Sequence, residues 1–187
     1  DKIRIEFDAV VENIEPKQDE VKIGIVSQLI YTDGQGTEKT KESEKVNITI
    51  IEPELTLTIS DNIADVEPVV PGDKVSYTIK AENTGSAPAY DTALEGLIPE
   101  GLRDTGINNI SIKINGNDRN EIIPVIDADG NLNWSLPSGI GADADDYTIP
   151  VGETLEITYD LTVDQDLPYE NIGQANIDAN YYSLPDD

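Results

Sequence analysis

The strongest constraint on the fold is a strict alternation of apolar and polar residues in two stretches of the chain. Val75, Tyr77, Ile79 and Ala81 alternate with polar residues, and residues 155–163 repeat the pattern. In a β-strand every second side chain lies on the same face, so each stretch predicts a strand with one buried and one exposed face. The residues predicted to form the core are Trp134, Tyr77, Ile79, Leu155, Ile157 and Tyr159.

Similar strand patterns cover most of the chain, and no stretch has the periodicity of an amphipathic helix. Gly, Pro, Asn and Asp separate the strands. Asn83-Thr84-Gly85 predicts a turn whose residues tolerate positive φ, and Asn115-Gly116-Asn117-Asp118 predicts a hairpin between residues 110–114 and 121–126. Short strands at regular spacing favour an all-β fold of two packed sheets, with a closed barrel as the alternative. The predicted strands are residues 3–11, 21–32, 46–51, 55–59, 75–81, 89–98, 110–114, 121–126, 132–136, 155–163 and 174–182, with an exposed hairpin or linker at 37–45.

A segment near the start of the chain repeats a segment near its end. IRIEFDAVVENIEP, from Ile3, aligns with LEITYDLTVDQDLP, from Leu155, so that Asp8 falls on Asp160 at an offset of 152. After a one-residue shift, residues 30–32 align with residues 181–183 at an offset of 151. The repeat predicts that residues 1–52 hold the C-terminal strands of one unit and a connecting segment, and that residues 53–187 form a second, nearly complete unit.

The first unit has too few strands to bury a core alone. We therefore expect a preceding repeat, a neighbouring chain or the second unit to complete it, with residues 46–51 as a strand that connects the two units. Residues 1–7 already alternate like the middle of a strand. This start predicts that the chain is a piece of a longer protein.

Composition argues against catalysis. The 187 residues include no His and no Cys, so the chain lacks the usual near-neutral base, a thiolate nucleophile and any disulfide. Carboxylates such as Asp127 and Asp143 resemble a glycosidase pair, but in a chain this acidic such pairs arise by chance. No catalytic residue is predicted, and the chain is predicted not to be an enzyme.

The charge of the chain excludes several partners. Twelve Lys and Arg stand against 38 Asp and Glu, a net charge of −26, which repels nucleic acids and anionic membranes. No apolar run is long enough to span a bilayer, so this segment is not expected to insert into a membrane. Hydration in high salt, Ca²⁺ binding and solubility remain as interpretations of the acidity.

Two acidic loops are candidate Ca²⁺ sites. The first places oxygen ligands at alternate positions around Gly130, like the first half of an EF-hand loop, but its closing Glu is missing and a strand follows. The second gathers three carboxylates within four residues, which lie far out in water or share a cation. A turn stabilised by Asp and Asn side chains is the alternative for the first loop. The candidate ligands are Asp127, Asp129, Asn131, Asn133, Asp143, Asp145 and Asp146.

Three Asn-x-Ser/Thr sequences are candidate N-glycosylation sites, at Asn47, Asn109 and Asn133. They accept glycans only in a host that glycosylates exported proteins. Aromatic residues make up 5% of the chain, without a clustered platform for sugar stacking. This composition argues against a carbohydrate-binding role without removing it.

The stretch VPGDKVSYTIKAENTGSAPAYDTALEGLIPEGL, from Val70, closely resembles the conserved repeat called domain of unknown function eleven. That family's pattern runs Pro-Gly-Asp, a Tyr-Thr strand, Asn-Thr-Gly and Leu-Pro-x-Gly-Leu, with Ile98 here at the Leu position. GNLNWSLPSG and IPVGETLEITYDLTVDQ, from Gly130 and Ile149, also resemble the family. The resemblance covers residues 55–182, and residues 3–32 resemble the end of another copy.

The resemblance implies an immunoglobulin-like β-sandwich in a repetitive exported protein of bacteria or archaea, such as an adhesin, a fimbrial or sheath protein, or a surface-layer component. It brings no catalytic residues. It implies a cell-surface location, a spacer role, and neighbouring repeats or identical subunits as partners; a ligand- or carbohydrate-binding accessory module is the alternative. Surface proteins of related design carry Lys–Asn isopeptide bonds, for which Lys74 and Lys80 with Asn176 or Asn180 are the candidates.

If the two acidic loops bind Ca²⁺, millimolar Ca²⁺ will raise the melting temperature, because a ligand that binds only the folded state stabilises it. Asp129→Ala will then lose much of that rise, and Mg²⁺ will substitute poorly because it requires a tighter octahedral shell. Differential scanning fluorimetry measures both. An equal rise with Na⁺ at matched ionic strength would instead show screening of the −26 charge.

Overall fold

The computed structural model describes residues 4–6, 8, 20–63, 69–99, 101–102, 106–119, 124–126, 131–134, 148–166 and 175–182. All regular structure in these residues is β-strand, which confirms the all-β prediction. Within the same residues no helix is long and apolar enough to cross a membrane. The chain divides into two compact units, Asp1–Glu52 and Pro53–Asp187.

Thirteen strands lie in the described residues. The first unit contains β1 (Lys22–Ile25), β2 (Gln28–Thr32), β3 (Glu38–Glu42) and β4 (Val46–Thr49). The second unit contains β5 (Leu55–Asp61), β6 (Lys74–Asn83), β7 (Tyr90–Leu97), β8 (Asn108–Ile114), β9 (Asn117–Asp118), β10 (Val125–Ile126), β11 (Asn131–Trp134), β12 (Thr154–Thr162) and β13 (Asn176–Tyr182).

The first unit is a long antiparallel hairpin. β2 pairs with β3, and β1 pairs with β4. Two residues separate β1 from β2, whereas three separate β3 from β4, so a bulge lies between the two ladders. The turn at its tip is closed by the Asp33 carboxylate, which accepts hydrogen bonds from the backbone N–H groups of Gln35 and Thr37 at 2.9 and 3.0 Å. The stretch 37–45 is therefore the second half of a hairpin.

The strand predicted at residues 46–51 is present as β4, which pairs with β1 along its whole length. One prediction for the first unit is wrong. Residues 4–6 and 8 do not lie in a strand, and Ile5 is 82% exposed, although they align with β12 of the second unit. In the second unit β12 pairs with two strands, and the described part of the first unit offers no equivalents of them.

The second unit is built from two sheets around one apolar core. One sheet has the strand order β5-β6-β12-β8-β9, and the other has the order β10-β11-β7-β13. Every named pair of neighbours is antiparallel. A hairpin turns at Asn115-Gly116, where both residues have the positive φ of a two-residue turn, 51° and 74°. Its second strand is β9 and not the predicted stretch 121–126, whose residues 125–126 form β10 in the other sheet. Buried residues of both sheets belong to one cluster, so the sheets face each other.

The predicted core residues are buried. Their exposed fractions lie between 1% and 6%, and Trp134 is 2% exposed. Tyr159 lies at the centre of an aromatic row, with its ring 5.6 Å from Tyr77 and 5.3 Å from Trp134. Burial raises the pKa of the Tyr77 and Tyr159 phenols, because an apolar environment disfavours the phenolate. The members confirmed by the structure are Trp134, Tyr77, Ile79, Leu155, Ile157 and Tyr159.

One polar side chain is buried at an end of this core. Asn83, at the end of β6, is 0% exposed. Its Oδ1 accepts hydrogen bonds from the backbone N–H groups of Glu54 at 3.3 Å and Gly85 at 3.1 Å. Its Nδ2 donates to the backbone carbonyls of Ala87 at 2.9 Å and Ile149 at 2.8 Å. Three loop segments therefore meet at one amide.

The backbone of Asn83 is paired as well. Its N–H donates to the carbonyl of Glu153, and its carbonyl accepts from Gly152, which has a φ of 76°. Asn83 does not have a positive φ, and neither does Thr84 or Gly85. The predicted turn follows β6, but these three residues form it without positive φ. The asparagine is needed because its amide is both acceptor and donor.

Replacing Asn83 with Ala will destabilise the fold by about 3–5 kcal/mol, because buried backbone groups lose their partners and each such loss costs roughly 1–3 kcal/mol. Asn83→Asp will also destabilise, because a carboxylate cannot donate to the carbonyls of Ala87 and Ile149. Denaturant unfolding measures both variants. The matched control is Asn180→Ala on the exposed face of β13, expected to change stability by less than about 0.5 kcal/mol. An Asn83→Ala variant as stable as this control would show that the hydrogen bonds are dispensable.

Candidate functional site

Most of the predicted calcium ligands lie outside the described residues. This applies to Asp127 and Asp129 in the first loop and to the whole of the second, Asp143, Asp145 and Asp146. Asn131 and Asn133 begin and continue β11, where Asn133 pairs with Glu95 and is half-buried. In the part of the chain that the structure describes, no group of three acidic residues is arranged to hold a metal ion.

The three candidate glycosylation sites lie in different surroundings. Asn47 is exposed on β4, and Asn133 is half-buried on β11. Asn109 is exposed on β8, but its side-chain amide donates a 2.6 Å hydrogen bond to Asp160. A glycan would be attached through this same nitrogen. Asn47 is therefore the most accessible of the three.

The candidate isopeptide residues lie on different sheets. Lys74 and Lys80 are exposed on β6, and Asn176 and Asn180 are exposed on β13. The Lys80 ammonium forms a 2.9 Å ion pair with Glu156 on the neighbouring strand. These lysines lie on the face of β6 that points away from the shared core, because they alternate with buried residues.

The outer face of the five-stranded sheet is polar and ordered in rows across the strands. One row contains Thr58, Lys80, Glu156 and Lys113, whose neighbours in register belong to β5, β6, β12 and β8. Charges of opposite sign alternate across its last three positions, which is the favourable arrangement for cross-strand pairs. The row lies in an open depression of about 420 Å³. It offers carboxylates, ammonium groups and hydroxyls to a hydrated polar ligand.

A hydrogen-bonded cluster on this face centres on Asp160. One oxygen of its carboxylate accepts a 2.6 Å hydrogen bond from the Ser76 hydroxyl, and the other accepts a 2.6 Å bond from the Asn109 amide. Asn62 supports Ser76 by accepting a 2.8 Å hydrogen bond from its backbone N–H. The cluster ties β12 to both of its neighbours, β6 and β8.

The backbone is irregular next to this cluster. The register between β12 and β8 shifts between Thr158 and Asp160, and Asn109 has a φ of 50°. Hydrogen bonds from Ser76 and Asn109, with a smaller contribution from the Lys74 charge, lower the pKa of Asp160, because they stabilise its ionised form. Sequence reasoning did not identify this cluster as a unit. Its one signal was the alignment of Asp160 with Asp8 in the repeat.

Comparisons with known proteins add little to this geometry. No protein-family model matches the chain, and no curated protein matches it. The resemblance to the repeat family therefore remains a prediction. Among solved structures, a protein described as "AvmM Catalyzes Macrocyclization in Alchivemycin A Biosynthesis" is similar, with a TM-score of 0.41 and 20% identity. The match covers 71% of this chain and 76% of that one, and a likeness this weak bears on neither the fold nor the function.

The Asp160 cluster predicts a pH-dependent contribution to stability. Because folding lowers the pKa of Asp160, its contribution is present above the unfolded value of about 3.9 and is lost as the pH falls through the folded value. The stability difference between the wild type and Asp160→Asn will therefore be larger at neutral pH than in strong acid. Urea unfolding across this range measures it. Asp166→Asn, an exposed carboxylate beyond the end of β12, is the control. An equal response of the two variants to pH would contradict the role of the cluster.

Proposed function

We propose that this chain is a structural repeat of an extracellular surface or filament protein, such as an adhesin stalk or a fimbrial, sheath or surface-layer component, and that it acts as a spacer. The observation that carries this proposal is the pair of aligned segments. The offset of 151 that aligns residues 30–32 with 181–183 places residues 25–31 on residues 176–182, and both stretches contain strands, β1–β2 in the first unit and β13 in the second. A chain with two copies of one strand position is organised as a tandem array.

The strand order of the second unit supports an immunoglobulin-like sandwich as the repeating body. In that fold one sheet contains the first, second, fifth and fourth strands in the order A-B-E-D, and the third and sixth strands lie side by side in the other. Here β5-β6-β12-β8 follows the first order, and β7 lies beside β13 in the second sheet. The short strands β9, β10 and β11 are then an insertion between the fourth and fifth positions.

A spacer needs a body that keeps its shape and a surface that stays hydrated. The buried Asn83 amide and the two-sided core supply the first requirement. The net charge of −26 provides the hydrated surface, because a highly charged chain stays soluble. Neighbouring repeats are the partners that this organisation requires.

A ligand- or carbohydrate-binding accessory module is the second candidate. The polar depression on the five-stranded sheet is the observation that favours it. Its described lining consists of Thr, Lys, Glu, Asn and Gly residues, so it offers hydrogen bonds without aromatic stacking. Calcium in the acidic loops remains compatible with either role.

The spacer role is tested by lengthening the array. A chain in which residues 33–183 are repeated three times in frame will grow in its largest dimension by a constant increment per copy, because each body contacts only its neighbours. Small-angle X-ray scattering measures this increment. The control joins Asp187 to Asp1, which breaks the 151-residue frame at each junction. The proposal is contradicted if the in-frame array is compact or aggregated, or if it grows no more regularly than the control. Specific retention of the chain on a glycan array would favour the second candidate.

A further inference from the structure

One side of the second unit is less covered than the rest of its core. β5 and β13 are the outermost strands of their sheets on this side, and they contact each other. Their core-facing residues, such as Leu57 and Ile177, remain partly exposed, whereas those of β6 and β12 are buried. Among the described residues β13 pairs only with β7, so its other edge presents backbone groups that another strand can pair with.

The first unit shows what kind of strand pairs at this position. Residues 25–31 align with β13, and the strands that hold them pair with β3 and β4. The partner of this strand position in the repeat is therefore the stretch 38–49. In the first unit this stretch has β1 and β2 on one edge, and no described strand pairs with its other edge.

Charge complements this geometry. On the outer face of the second sheet, Asp178 lies directly opposite Glu95 in the register of β13 and β7, and both are exposed. Like charges in directly opposed positions destabilise a sheet, and a cation on the next strand relieves them. β3 carries exposed Lys39 and Lys41. Residues 1–52 hold seven of the chain's twelve Lys and Arg residues but only twelve of its 38 Asp and Glu residues.

The repeat frame also supplies a register. In the hairpin, Lys41 pairs with Leu29 and Thr40 pairs with Ile30. At the offset of 151, Leu29 corresponds to Asn180 on β13. A strand like β3 beside β13 therefore places Lys41 opposite Asn180 and diagonal to Asp178, within reach of a lysine side chain.

We propose that the edge of β13 with which no described strand pairs binds the β3–β4 strand, residues 38–49, of a second copy of this chain. This inference deepens the proposed function by naming the contact through which copies associate. The bound hairpin adds two strands to the four-stranded sheet. Backbone hydrogen bonds along β13 then supply the contact.

The contact joins two different surfaces and therefore does not close on itself. Each bound copy still has a free β13 edge, and each acceptor still has a free hairpin. A heterologous contact of this kind generates open chains of copies unless the rotation between them closes a ring. The expected product is a linear series of oligomers.

The first test uses sedimentation velocity of the full chain over a range of concentrations in about 0.15 M NaCl, where distant charges are largely screened. The wild type is expected to form dimers and larger species as concentration rises. Lys41→Glu will weaken association at least several-fold, and Asp178→Lys together with Lys41→Glu will restore it. Lys22→Glu, the same change on β1, the far strand of the hairpin, is the control. A monomer at every concentration, or a double variant as weak as Lys41→Glu alone, overturns the proposal.

The second test supplies the strand within one chain. Repeating residues 33–52 directly after Ser183 places a copy of β3–β4 in frame behind β13. This chain is expected to stay monomeric, to melt at a higher temperature and to protect the β13 amides from hydrogen exchange. A matched chain with Thr40 and Lys41 of the added copy replaced by Pro will lose these gains, because proline cannot pair along a strand. If the chain with the added copy associates as strongly as the wild type, the proposed contact is wrong. The in-frame array of the previous subsection tests the spacer role independently of this contact.

Discussion

The fold of the second unit depends on the buried amide of Asn83. This residue has no exposed surface, and its side chain and backbone together form six hydrogen bonds to the segments that lead into or out of β5, β6, β7 and β12. Loop backbone can be buried only where its polar groups find partners, and one amide supplies both kinds. The sheets can therefore approach each other closely at this end. The aromatic row of Tyr77, Tyr159 and Trp134 then fills the space between them.

The alternation of apolar and polar residues predicted the strands and the core, because apolar residues such as Ile79 and Ile157 recur at every second position on the buried face of a strand. The same signal failed for residues 4–6, because a strand forms only where partner strands exist, and a sequence window contains no information about partners. The role of Asn83 was missed for a related reason. An Asn-Thr-Gly sequence indicates a turn, but whether the asparagine uses its φ or its amide is decided by contacts that are distant in the chain.

The candidate sites also differ in whether their residues are close or distant in the chain. The acidic loops are conspicuous in sequence because their oxygen ligands are close in the chain. The Asp160 cluster is inconspicuous because Ser76 and Asn109 come from two other strands, and only the register of the sheet brings them together. The proposed contact at the β13 edge needs both kinds of information. The internal repeat in the sequence aligns residues 25–31 with β13, and the structure shows which strands pair with residues 25–31 in the first unit.

The central claim is that the Asn83 amide holds its loop segments as firmly as the strands of the core are held. Native-state hydrogen exchange followed by NMR tests it directly at the backbone amide of Gly85 and at the side-chain amide of Asn83. If the claim is correct, both exchange only through global unfolding, with the same free energy of opening as amides in the middle of β6. Exchange of Gly85 at the rate of an exposed loop, while the β6 amides stay protected, would show that the segments open independently and would contradict it.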